Sequence, residues 1–180
     1  MKPTGYLMIE HRLIERMVIL MEDELQRIKQ AAKINTVFID AAVDFFRTYA
    51  DRTHHGKEED ILFKALEQKP LAAEHKRIMD ELIQEHIYAR NKVAGLVGAK
   101  EQFLKGDEQA INQLVTDMED LVKLYPAHIK KEDKVFFPYS LEYLTEPEQE
   151  GMLRDFFEFD RKMIHEKYGE VVEYCERANQ

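Results

Sequence analysis

His55-Gly56-Lys57-Glu58-Glu59-Asp60-Ile61-Leu62-Phe63 and His128-Ile129-Lys130-Lys131-Glu132-Asp133-Lys134-Val135-Phe136 carry one pattern, His-x-x-x-Glu-Asp-x-[Leu/Val]-Phe, twice in one chain. The two copies stand 73 residues apart (128 − 55), and Glu59 and Glu132 keep the same shift. Residues four apart on a helix lie one above the other on a single face, so each imidazole and its carboxylate reach a common point. A single His-x-x-x-Glu is weak in an acidic chain, and His11/Glu15 and His54/Glu58 also fit it. The repeat is the stronger signal.

Working outward, a second pair repeats. Glu10-His11 and Glu85-His86 are 75 residues apart (86 − 11), and each precedes a His-x-x-x-Glu by 42 to 44 residues. The constellation is therefore His…His-x-x-x-Glu, twice. Two consecutive antiparallel helices bring one central residue from each to the same level. Two such pairs, related by a pseudo-twofold axis, place four imidazoles and two carboxylates around one point. Imidazole nitrogen with carboxylate oxygen suits iron, and also manganese or zinc. The six candidate ligands are His11, His55, Glu59, His86, His128 and Glu132, with His11 paired to His55 and His86 to His128. Six donors underfill two six-coordinate ions even when both carboxylates bridge. Positions remain for dioxygen, peroxide, nitric oxide or an oxo bridge.

The match of Phe63 to Phe136 selects His55 and Glu59 over the neighbouring His54 and Glu58, which are expected to be peripheral. His75, near a helix start, is expected at a cap or on the surface. His165 is expected to be peripheral or to support a ligand, and Glu15 is placed to bond an imidazole or to be solvated.

The rest of the chain fits a helical scaffold. Apolar residues recur at three- and four-residue steps, as in Leu7, His11, Ile14, Val18, Met21 and Leu25. Seven glycines and five prolines among 180 residues leave few breakers. Pro3-Thr4-Gly5 reads as a helix start, Lys69-Pro70 as a stop, and Gly106-Asp107 as a turn. Pro126 predicts a kink or local break in the fourth helix. Thr145-Glu146-Pro147-Glu148 reads as a capping box opening a fifth. No strand alternation is visible. Helices of roughly 25 to 35 residues at 1.5 Å per residue span about 40–50 Å. The expectation is all-α: an antiparallel up-down four-helix bundle with an additional C-terminal helix. The chain reads as a single domain over 1–180, with a metal-binding core over about 5–145 and the extra helix over about 146–177.

Composition excludes other classes. A net charge of −9 argues against a nucleic-acid surface. A lone Cys175 rules out an intrachain disulfide framework and a thiolate cluster. The N-terminal residues lack a signal-peptide core, and no apolar run approaches the length of a membrane span. A cytoplasmic protein is expected. A ferritin-like centre needs Glu-x-x-His motifs, and the residues three before the histidines are Met8, Asp51, Arg52, Ala72, Ile83, Tyr125 and Lys162.

With Ile9-Glu10-His11, His54-His55-Gly56-Lys57-Glu58-Glu59-Asp60-Ile61-Leu62-Phe63, Glu85-His86-Ile87-Tyr88-Ala89-Arg90 and His128 to Pro138, the chain resembles the hemerythrin-like proteins, or HHE cation-binding domains. The resemblance covers about residues 5 to 145. It implies an antiparallel helical bundle around a non-haem di-iron centre of two iron ions, with the six residues above as ligands. Oxygen-carrying hemerythrins take a fifth histidine from a His-x-x-x-His in the third helix. Here Leu82 and Arg90 stand four residues either side of His86. That departure points toward the bacterial and archaeal branch linked with sensing of dioxygen or nitric oxide, iron handling, and protection or repair of iron centres. One implied function is binding of O2 or NO for sensing, storage or iron handling. The other is a di-iron enzyme reducing peroxide or nitric oxide, or repairing damaged iron centres. Either implies a diatomic or peroxide ligand and allows a protein partner for signalling or iron delivery.

Overall fold

Leu7, Ile14, Val18, Met21, Leu25 and Ile28 form one fully buried stripe on the first helix, α1 (Pro3–Ala31). Its first turn holds Pro3, whose missing N–H is one that no helix start can satisfy internally. It ends where Ala32 adopts φ 51° and its N–H reaches the Ile28 carbonyl. The computed structural model describes residues 2–178, with side chains through residue 164 and at Lys167.

The second long helix, α2 (residues 36–66), starts at Asn35, whose side chain accepts from the Phe38 N–H. It is α-helical over Thr36–Phe45 but widens to π-helix over Phe46–His55 and Glu58–Phe63. Helix α3 (Ala73–Leu104) is regular throughout. Helix α4 (residues 110–140) is α-helical over Ala110–Lys131, π-helical over Glu132–Phe136, and α-helical again over Phe137–Ser140. The helix runs through Pro126 rather than ending there. Its departure from α geometry comes six residues later, at Glu132. Helix α5 (Glu146–Ala178) opens on the expected capping box: the Thr145 N–H donates to Glu148 at 2.8 Å, and the Glu148 N–H returns to the Thr145 hydroxyl at 3.4 Å.

The described residues are all-helical, without strands. Among the described residues no helix is long and apolar enough to cross a membrane. Two apolar clusters divide the interior. One joins Ile14, Met21, Ile39, Phe46, Leu96, Leu114 and Leu121. The other joins Leu7, Leu62, Phe63, Leu82, Phe137 and Phe156. Helices α3 and α4 approach closely at Gly95, where an added Cβ would meet an Asp117 carboxylate oxygen at 2.2 Å. Between the two clusters lies a polar layer supplied by α1 to α4.

Candidate metal centre

That layer holds five histidines and two glutamates, all buried: His11, His54, His55, Glu58, His86, His128 and Glu132. They fall into two donor groups. His11 and His54, with Glu58 and Glu132, form one; His55, His86 and His128 form the other. The Nε2 atoms of His11 and His54 are 2.9 Å apart, and those of His86 and His128 are 3.2 Å apart. Two nitrogens each about 2.1 Å from one ion, at right angles, stand about 3 Å apart. His55 stacks on His86, with ring centroids 3.8 Å apart.

The two glutamates span the groups. Glu58 Oε1 lies 3.4 Å from His54 Nε2, and its Oε2 lies 3.5 Å from His86 Nε2. Glu132 Oε2 is 3.2 Å from His11 Nε2 and 3.3 Å from His128 Nε2. All four carboxylate oxygens are buried without a hydrogen-bond partner. Leaving such atoms unpaired costs about 1–3 kcal/mol each, and more for a charge. A cation between them removes that cost, so the donor set fits a pair of metal ions.

The outward face of each ring is held. The Nδ1–H of His11 donates to Asp133 at 2.7 Å, that of His54 to Glu10 at 2.9 Å, that of His86 to Glu59 at 2.7 Å, and that of His128 to Glu85 at 2.8 Å. Carboxylate acceptors fix the tautomer that leaves Nε2 free for metal. His55 makes a longer contact, 3.4 Å, to Asp51. Arg90 bridges the outer carboxylates, donating to Asp51 at 2.7 Å and to Glu59 at 2.8 Å. Thus Arg90, one of the two residues four positions from His86, braces the acceptors of His55 and His86.

The expected residues divide accordingly. His11, His55, His86, His128 and Glu132 come together. Glu59 does not join them: its carboxylate turns outward to His86 Nδ1 and Arg90, and Glu58 takes the inner position. His54, expected to be peripheral, faces His11. The pairing of His11 with His55 is replaced by His11 with His54. Two phenylalanines lie beyond Glu132, so the repeat admits a second register. Matching Phe63 to Phe137 gives a shift of 74, which aligns His54 with His128 and Glu58 with Glu132. Both Phe136 and Phe137 are buried, so burial cannot choose between them. The π-turns add to the difficulty. Their wider coil shortens the angle between neighbours, so His54 and His55 both point inward.

His75 bonds the Tyr143 hydroxyl at 2.8 Å and stacks on Tyr139, away from the centre. Glu15 pairs with Arg12 at 2.9 Å rather than with a histidine. The side chain of His165 lies outside the described residues.

Without metal, the layer shares its protons unevenly. Burial and the nearby Glu132 hold the Glu58 carboxyl well above its ordinary range. Burial works the same way on Glu132, but His128, His11 and His86 outweigh it and keep Glu132 well below. Burial works against a charged His11, yet Asp133 and Glu132 raise it to about 9. Burial lowers His55 to about 3 and holds His54 well below the usual imidazole value. The metal-free layer therefore keeps a proton on His11 at neutral pH and favours one on Glu58. Both must leave when metal enters. Loading is expected to release protons and to tighten as pH rises toward about 9; a weakly buffered dye titration measures both. Affinity that stays flat from pH 6 to 9 would contradict this protonation pattern.

The profile of the hemerythrin HHE cation-binding domain matches residues 2–140. The chain belongs to that family. Relatives include uncharacterized proteins of Mycobacterium bovis and of two Mycobacterium tuberculosis strains, each 23% identical over 165 residues. The match covers 92% of this chain and 62% of theirs, so the chain spans under two thirds of the length of these relatives. No solved structure gives a significant match. Membership of the HHE family agrees with the two-group donor layer, and α5 beyond residue 140 lies outside the matched segment.

Proposed function

We propose that the chain is a non-haem di-iron protein that binds dioxygen or nitric oxide for sensing, storage or iron handling. Its first four helices are read as an antiparallel up-down bundle with α5 laid against it. One observation carries this reading: Glu58 and Glu132 each stand between the two imidazole groups with every oxygen unpartnered. Bound iron supplies a redox-active Lewis acid that takes up a small ligand. The protein's share is to hold five imidazoles as Nδ1–H tautomers, to keep Glu58 and Glu132 between the groups, and to exclude bulk water with the flanking apolar clusters. Approach from outside is offered by a cavity of about 240 Å³ that reaches His55, lined by Phe46, Ala89, Val93 and Tyr125 with Arg47 and Arg90.

The test is an optical spectrum of the anaerobic iron(II)-loaded protein, recorded before and after addition of oxygen or nitric oxide. A new, stable ligand-to-metal band supports binding. Sustained consumption of peroxide or nitric oxide under a reductant would replace this reading with the enzymatic one. A spectrum indifferent to all three ligands would overturn both.

A further inference from the structure

The Glu10–His54 and Glu85–His128 pairs match across the two halves, and their lysines set them apart. Lys57 and Lys131 are related by the same shift of 74 (131 − 57) that relates His54 to His128. Each lysine binds the carboxylate that holds the histidine three residues before it. Lys57 Nζ donates to Glu10, whose other oxygen accepts from His54. Lys131 Nζ donates to Glu85 at 2.5 Å, whose other oxygen accepts from His128.

Their surroundings differ. Lys131 is 28% exposed and divides its ammonium between Glu85 and Glu81. Lys57 is 0% exposed. It is closed over by α5, which brings Asp160 to 2.6 Å from Nζ. The Tyr6 ring lies under the ammonium at 4.8 Å, and its hydroxyl donates to the second Asp160 oxygen at 2.7 Å. Helix α5 can come this close because Gly56 has no side chain: an added Cβ there would stand 2.7 Å from the Phe159 ring. A lysine buried to this degree is rare unless fully paired. Here both partners are charged, and one of them is the outer acceptor of a ligand imidazole.

We propose that Lys57, locked between Glu10 and Asp160, is the positioning residue for His54, and that α5 thereby fixes the His11/His54 half of the centre while the Lys131 half stays adjustable. This rests on the two-metal reading above. Lys57 touches no metal position. It acts through Glu10, holding one carboxylate oxygen so that the other meets His54 Nδ1 in a single direction. In low-dielectric surroundings that restraint is stronger than its solvent-facing counterpart.

Cobalt(II) titration of metal-free protein, followed by the paramagnetically shifted Nδ1–H proton signals of the ligand histidines, tests it. Lys57→Met is expected to weaken one of two cobalt equivalents by about 10–100-fold, the range for outer-residue loss. It should move or broaden the His54 signal alone. Lys131→Met is expected to cost less than about threefold, well below that range. Lys57→Arg should restore most of the affinity. If Lys57→Met does not fold, Asp160→Asn, which keeps the Lys57–Glu10 pair, decides: the His54 signal must shift and the others must stay. Two cobalt ions bound with a His54 signal indifferent to Asp160→Asn, or equal losses from Lys57→Met and Lys131→Met, would overturn the proposal alone. Wild-type protein that takes up no cobalt would overturn the metal reading beneath it as well.

Discussion

Glu58→Gln is expected to empty the centre, whereas the neighbouring Glu59→Gln is not. The two side chains differ in direction, not in chemistry. Glu58 is 0% exposed and stands between the imidazole groups with both oxygens unpartnered. Losing its charge removes a donor from both metal positions and leaves an amide N–H₂ facing the imidazole nitrogens. A fall in metal affinity of more than about 100-fold is expected, beyond the range typical of outer residues. Glu59 accepts from His86 Nδ1 and pairs with Arg90. Glutamine keeps an acceptor for His86, so at most about a tenfold loss is expected. Elemental analysis of the two purified variants checks this. A metal-free Glu59→Gln protein beside a loaded Glu58→Gln protein would show that the register over this turn is displaced by one residue.

Removing the metals is expected to lower the melting temperature by about 10 °C or more. A ligand present at a thousand times its Kd stabilises by about 4 kcal/mol. For a chain of this size each kcal/mol moves the midpoint by about 2–4 °C. Scanning calorimetry of metal-loaded and chelator-stripped protein provides the comparison. Equal midpoints would mean that the donor layer is held by packing alone.

Much of this was legible in the sequence because helices repeat their chemistry at short, fixed spacings. The stripe of Leu7, Ile14, Val18, Met21 and Leu25 announces α1, and the Thr145–Glu148 box announces α5 to within a residue. The two-half constellation was legible for the same reason: His11, His86, His128 and Glu132 stand at offsets that only a repeated helix pair explains. The choice between His54/Glu58 and His55/Glu59 was not. A one-residue register on a helix is read from periodicity, and α2 abandons the α period over Phe46–His55. The doubled phenylalanine at Phe136 and Phe137 then supplied two equally apolar anchors. Symmetry held the better clue. Glu10 precedes His11 and Glu85 precedes His86, and each holds the histidine of the following helix. That places His54 opposite His128 once both contacts are considered. The role of α5 was illegible for a different reason: Asp160 is one acidic residue in a polar stretch, and only the burial of Lys57 singles it out.

Glu58 and Glu132 are proposed to share two metal ions between them. Iron bound per chain, measured on protein reconstituted anaerobically with iron(II) and freed of loosely held metal, tests it most directly. About two irons per chain are expected, falling together in Glu58→Gln or Glu132→Gln because each carboxylate serves both positions. A chain that retains no iron, or a Glu58→Gln variant that still retains two, would contradict it.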